Sequence, residues 1–233
     1  ADRLIADHVG VLGLVSMLPW VRMVAFSGGT SRRNSIHDDD IDLFIVAEQD
    51  RVWSTFLGLV VLARAAGCRD ILCANYLIDR TNIVVPDGGD LFTGQELLGL
   101  EPLSGRRQLE RMAAVNEWTQ RLLPNAGLRP RLPLFDDGPW RGRIQRGVEW
   151  AMAPAGWAIE GVSRRALGWH LSRKQKRATG GDMLLRRGML KLHQSDNRAS
   201  IVSRFRAQLD ALDVAGDDLD VLLEPRRRKA AAP

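Results

Sequence analysis

The chain is poor in cysteine, with two residues, Cys68 and Cys73, in 233. That excludes a disulfide framework, and without Cys or His partners at ligand spacing it excludes a zinc cage. A reducing compartment is the simplest expectation. The amino end has acidic residues early, no basic n-region and no small-residue cleavage site, so a cytoplasmic location is expected. No run approaches the length of uncharged apolar sequence needed to cross a bilayer. Several catalytic signatures are missing too. Gly28-Gly29 is not followed by Gly-Lys-Ser/Thr, which excludes a P-loop, and no G-x-G-x-x-G opens a dinucleotide fold. There is no G-x-S-x-G nucleophile elbow, and the four histidines form no H-E-x-x-H. No internal repeat is found.

What remains is ordinary folded-protein composition, with 45% hydrophobic and 26% charged residues. A net charge of +5 suits an anionic substrate, a nucleic acid or a membrane surface equally. Apolar residues at helical spacing predict a helix over 1–18, ended by Pro19, and another over 50–66 with Gly67 at its C′ position. Between them lie two short apolar runs, 21–26 and 40–47, read as strands around a glycine turn. Residues 71–78 predict a third strand and 82–85 a fourth. A short helix is expected near 94–100, capped by Thr93 with Glu96 at the capping-box position. A longer helix over 108–123 stops at Pro124, a proline-rich loop or linker spans 124–140, and helical text runs from 147 to about 223 with breaks near Gly180-Gly181 and over 193–197. The expected class is α+β. A mixed-sheet core with flanking helices occupies 1–105, a helical domain 106–225, and a disordered basic tail 226–233.

Chemistry concentrates in residues 24–46, VAFSGGTSRRNSIHDDDIDLFIV. Alternation along an extended strand puts Asp40 and Asp42 on one face and Ile41 and Leu43 on the other. Asp42 stands inside an apolar run, where an unpaired carboxylate is costly. Two carboxylates converging on one spot call for a positive charge between them, and a hard divalent cation with oxygen ligands supplies it. The turn at Ser27-Gly28-Gly29 offers backbone N–H groups to phosphate. Metal and phosphate together imply nucleotide chemistry.

These residues resemble the signature of the polymerase-β-like nucleotidyltransferase superfamily: a hydrophobic residue, Gly, Gly or Ser, about ten residues, then Asp-hydrophobic-Asp-hydrophobic. The positions here are Ser27-Gly28-Gly29 and Asp40-Ile41-Asp42-Leu43. The likeness covers about the first 100 residues and is closest to a bacterial branch of nucleotidyltransferase-domain proteins, with Asn75-Tyr76 and residues 91–103 also matching. The resemblance implies transfer of a nucleoside monophosphate from an NTP, most simply ATP, to an acceptor hydroxyl or phosphate, with release of pyrophosphate. It implies Mg²⁺ held by Asp40 and Asp42. The backbone of Gly28 and Gly29 and the hydroxyls of Ser27, Thr30 and Ser31 would bind the phosphates, with Arg32 and Arg33 placed to neutralise pyrophosphate. A third carboxylate, acting as general base, is expected on a later strand. Asp79 is the first candidate, with Asn75 the nearest polar alternative and Asp70 a third.

The acceptor is expected to be a small molecule rather than a protein or RNA, and no RNA-reading motif points to a stable nucleic-acid complex. Trp150, Trp157 and Trp169 lie in 147–177, which ends in Arg173-Lys174-Gln175-Lys176-Arg177. Such a stripe is usually core; the alternative is a weak contact with a membrane surface.

Overall fold

The computed structural model describes residues 2–33, 40–85, 91–126, 134–135, 138–177, 183–192 and 198–211. Thus Asp38 and Asp39, most of the proline-rich 124–140 segment and the basic tail lie outside the described residues. The amino-terminal helix is two: α1 (Asp2–Asp7) and α2 (Val9–Met17). They part at His8, whose backbone N–H reaches Ile5 O and whose Nδ1 lies 2.8 Å from Leu4 O.

Then follow β1 (Val21–Phe26), α3 (Gly28–Ser31), β2 (Ile41–Ala47), α4 (Val52–Ala65) and β3 (Leu72–Asp79). Gly67 takes φ +68°, the left-handed conformation expected of a C′ glycine. After these come α5 (Leu91–Leu98), β4 (Glu101–Ser104), α6 (Arg106–Ala114) and α7 (Trp118–Leu122). Thr93 therefore lies inside α5 rather than at its cap. The remainder comprises α8 (Pro139–Met152), α9 (Gly156–Arg177), β5 (Leu184–Arg186), β6 (Met189–Lys191) and α10 (Arg198–Ala211).

The result is a mixed six-stranded sheet flanked by helices, in the order β4-β1-β2-β3-β6-β5. β1 runs antiparallel to β2, and β2 runs parallel to β3 through the α4 crossover. The middle strands read as near-continuous apolar runs because both faces of the sheet are covered. On one face Val24, Phe26, Leu43, Ile45 and Leu77 pack under Leu12, Val15, Phe56 and Leu59 of α2 and α4. On the other, Met23, Ala25, Phe44, Val46 and Ile78 pack with Leu109 and Met112 of α6.

Two expectations about strands are corrected. Residues 82–85 form no strand. The Asn116 side chain ties them down instead, accepting from Val85 N–H at 2.8 Å and donating to Ile83 O at 2.8 Å. Nor does the β content end near residue 100. β4 joins the free edge of β1, where Pro102 costs no ladder bond on its outer side. The hairpin β5–β6 joins the free edge of β3 and buries Leu190 completely. The sheet thus crosses the boundary expected at residue 105, and the carboxy-terminal half is not purely helical.

α9 lies against α4. Its Glu160 is buried and caps α4, accepting from Trp53 N–H at 3.1 Å, Ser54 N–H at 2.8 Å and Ser54 Oγ at 2.5 Å. These are amides of the first helical turn, which have no partners within their own helix.

Candidate functional site

The strand, glycine turn and second strand fold back so that α3 packs on the start of β2. Ser27 N–H donates to Asp42 O at 3.0 Å, which starts the turn in register with β2. Thr30 closes it. Its hydroxyl donates to Asp40 O at 3.2 Å and accepts from Asp42 N–H at 3.0 Å, so one side chain clasps the backbone on both sides of Ile41. Ser31 Oγ donates to Gly28 O at 3.1 Å. A hydroxyl has a single proton to give. Thr30 and Ser31 have given theirs to carbonyls, so as folded they act as structural clasps rather than as the phosphate donors expected.

Gly28 has φ +53°, and a Cβ built on it would fall 2.7 Å from Asp42 Oδ2 and 3.6 Å from Asn75 Nδ2. The second carboxylate of the Asp-x-Asp pair therefore sits directly against the glycine turn. Gly29 is the second residue of α3. Ser27 is buried, and its Oγ accepts from Asn75 Nδ2 at 3.5 Å. Asp42 is half-buried and Asp40, just before β2, is exposed.

Cys73 stands opposite Asp42 in the β2–β3 register, and its Sγ lies 3.7 Å from Asn75 Oδ1. Burial above all, and then the negative charges of Asp42 and Asp40, push the Cys73 thiol up to about 11. Arg69 and Lys174 act in the opposite direction on it. Both aspartates are thus close enough to Cys73 for their charge to be felt.

Asp79 is elsewhere. It pairs with Ala47 at the far end of the same strands, six residues beyond Cys73 and hence about 20 Å along the sheet. Its buried carboxylate is saturated locally: Oδ1 accepts from Thr81 N–H at 2.9 Å, Thr81 Oγ1 at 2.6 Å and Asn82 Nδ2 at 2.9 Å. This corrects the expectation that Asp79 joins the metal pair. The parity argument placed Asn75 and Asp79 on one face, but a register irregularity in β3 between Ala74 and Tyr76 breaks the alternation there. Asn75 is the residue beside Asp42.

Asp70 lines a cavity of about 390 Å³ with Asp40 and Cys73. Its lining is mixed, with Phe56, Leu59 and Val60 of α4 and Leu171 of α9 supplying the apolar part. Arg64, Arg69 and Lys174 bring positive charge to its lining. The size suits a small-molecule ligand.

Arg32 forms an ion pair with Glu96 of α5, and Arg33 pairs with Glu101 at 2.9 Å and Asp2 at 3.2 Å. Both would have to exchange these partners to meet a phosphate. Arg64 of α4, Arg69 of the loop before β3 and Lys174 of α9 were not among the expected site residues; they line one cavity with Asp40 once α4, β3 and α9 are packed together.

The carboxylates of Asp40 and Asp42 and the hydroxyl of Ser27 are hard oxygen donors of the kind Mg²⁺ takes, while Asn75 turns its Nδ2 toward Ser27 and its Oδ1 toward Cys73. Among the described residues no three His, Cys, Asp or Glu side chains gather. One or two carboxylates completed by water and substrate phosphates are the usual complement of Mg²⁺. The residues therefore fit an ion that arrives with a nucleotide better than one held by protein alone. Comparison with protein families, curated proteins and solved structures finds no match for this chain.

Proposed function

We propose that this protein is a Mg²⁺-dependent nucleotidyltransferase that moves a nucleoside monophosphate from an NTP to an acceptor and releases pyrophosphate. The observation that carries the reading is the seating of Asp42 on Gly28, 2.7 Å from where a Cβ would lie. It supports the reading because the carboxylate proposed to bind metal lies against a turn that only glycine makes approachable.

Asp40 and Asp42 would hold the metal, which supplies charge stabilisation to the attacking and leaving oxygens. The Gly28-Gly29 backbone lets the triphosphate come close, and Ser27 Oγ and Asn75 border the same spot. Asn75 shapes the acceptor side. An amide can orient an acceptor oxygen but cannot take its proton. This favours an acceptor already ionised near neutrality, a phosphate rather than a hydroxyl. One of its oxygens attacks the α-phosphorus, the bond to the pyrophosphate oxygen breaks, and no proton needs a base. The cavity beside Asp40 suits such a group, with Arg64, Arg69 and Lys174 to meet its charge.

The experiment measures pyrophosphate release from each NTP with Mg²⁺ and a panel of phosphate monoesters and alcohols, for wild type and Asp42→Asn. Release with a phosphate acceptor, lost in Asp42→Asn, is expected. Equal release by both proteins would refute the metal assignment. A second reading is a nucleotide-binding module without transfer, favoured by Asn75 standing where a third carboxylate is expected. Mg²⁺-dependent NTP binding in calorimetry, with no pyrophosphate from any acceptor, would select it.

A further inference from the structure

α8 and α9 form an outer layer, α8 over α2 and α9 over α4. Their inner faces are tied down: Gln145 Nε2 donates to Leu18 O and Val21 O, and Arg141 donates to Gly13 O. The outer faces carry the most exposed large apolar side chains of the described residues. Trp150 is 81% exposed, Trp157 75%, Trp169 63% and Trp140 60%, and Ile144, Val148 and Val162 of the same two helices are exposed as well. The expectation that this tryptophan stripe is core is therefore corrected. A short 3-10 turn at Ala153–Ala155 separates Trp150 from Trp157, so they belong to different helices.

The charge on this layer is one-sided. Residues 139–177 hold nine Arg and Lys and only two acidic residues, Glu149 and Glu160. Both acids are turned inward. Glu149 takes Trp20 N–H at 2.6 Å and Arg22 at 2.8 Å and 2.9 Å, while Glu160 caps α4. Outward, Arg143, Arg146, Arg164, Arg165, Arg173 and Lys176 are exposed among the indoles. Arg173 stacks on the Trp169 ring at 4.2 Å.

We infer that the outer face of α8 and α9 binds the surface of an anionic lipid bilayer, through indoles at headgroup depth and cations on lipid phosphates. Large amphipathic side chains interleaved with Arg and Lys are what an interface accepts, because apolar bodies sink while charged tips stay in the headgroups. A second copy of the chain would bring cations against cations. A nucleic acid would satisfy the arginines and stack the indoles, but would leave Ile144, Val148 and Val162 against water. The inference stands apart from the nucleotidyltransferase reading, since no residue of the Asp42 site takes part.

The test is flotation with phosphatidylcholine vesicles, with and without about 30% phosphatidylglycerol, at about 0.1 M salt. Wild type floats with the anionic vesicles and its tryptophan emission shifts to the blue, while neutral vesicles bind about tenfold or more weakly. Trp150→Ser/Trp157→Ser/Trp169→Ser keeps the circular dichroism spectrum and melting temperature but loses about tenfold or more in vesicle affinity. Arg165→Gln/Arg173→Gln/Lys176→Gln loses the preference for anionic lipid, and Asp42→Asn floats as wild type does. Failure of wild type to float, flotation untouched by the triple tryptophan change, loss of flotation in Asp42→Asn, or binding of single-stranded RNA in place of vesicles would each overturn the inference.

Discussion

The carboxylate of Asp42 rests on the α-carbon of Gly28, its Oδ2 2.7 Å from the point a Cβ would occupy. Gly28→Ala thus meets two obstacles: a backbone at φ +53°, which L side chains rarely adopt, and a methyl group inside contact distance of a carboxylate. It is expected to cost about 1–3 kcal/mol in urea unfolding and to displace Asp42, weakening Mg²⁺-dependent NTP binding. Gly10→Ala is the control. Gly10 is exposed on α2 with nothing within 4 Å of a new Cβ, so it should be neutral or stabilise by about 0.5–1 kcal/mol. Gly28→Ala with full stability and unchanged binding would show that the contact does not matter.

Asp79 serves structure. Three hydrogen bonds converge on its Oδ1, and a Cβ on Gly188 of the β5–β6 turn would lie 2.6 Å from its Oδ2. Asp79→Ala removes three hydrogen bonds from the exposed Thr81 and Asn82, whose donors can turn to water, and should lower stability by about 0.5–1.5 kcal/mol. Calorimetry below the variant's melting point should find NTP and Mg²⁺ binding as in wild type. Loss of binding in a folded Asp79→Ala protein would return Asp79 to the site.

Cys73 reports on the charge of the aspartate pair. Its thiol is raised from 9.0 to about 11, by burial first and then by Asp42 and Asp40. In the unfolded chain the thiol ionises earlier, so this group's contribution to stability is complete below pH 9.0 and is lost as pH rises towards about 11. Asp42→Asn removes one of the charges that raise it. Iodoacetamide labelling of Cys73 at a fixed pH near 9, read by peptide mass spectrometry, should then be several-fold faster, because the thiolate is the nucleophile. An unchanged rate would mean that Asp42 is not ionised beside Cys73.

Beyond the far end of β2, away from the site, Glu48 accepts from Arg22 at 3.0 Å and from Arg80 at 2.8 Å. Burial works against its charge, but hydrogen bonds from Gln49 N–H and Arg22, with the charges of Arg22 and Arg80, hold its carboxyl below the ordinary value. A depressed carboxyl contributes stability above its unfolded pKa and loses it as pH falls through the lower folded value. Glu48→Gln should flatten the fall in unfolding free energy below about pH 4.5, measured by urea titration at successive pH values. A fall as steep as in wild type would assign the acid limb to other carboxylates.

Residues 21–47 were legible in the sequence because their determinants are local. Short apolar runs predict β1 and β2, the glycine pair predicts the turn, and the Asp-x-Asp spacing needs only a period of two. The helix over α4 and its C′ glycine were legible for the same reason. Three-residue strands such as β5 and β6 carry too little periodicity to be distinguished from the helical text around them.

Two carboxylates and a glycine turn within 15 residues could be read from the chain alone, since residue spacing and strand pleating are local properties. Which residue of β3 stands beside Asp42 could not be read that way. That depends on the register of a parallel pairing across the α4 crossover and on one irregularity in β3, and together they put Asn75 there and Asp79 at the far end. The tertiary structure also decided which side of α8 and α9 meets solvent. Both sides carry apolar residues, and it is the inward anchoring of Gln145, Glu149 and Glu160 that turns the tryptophans outward.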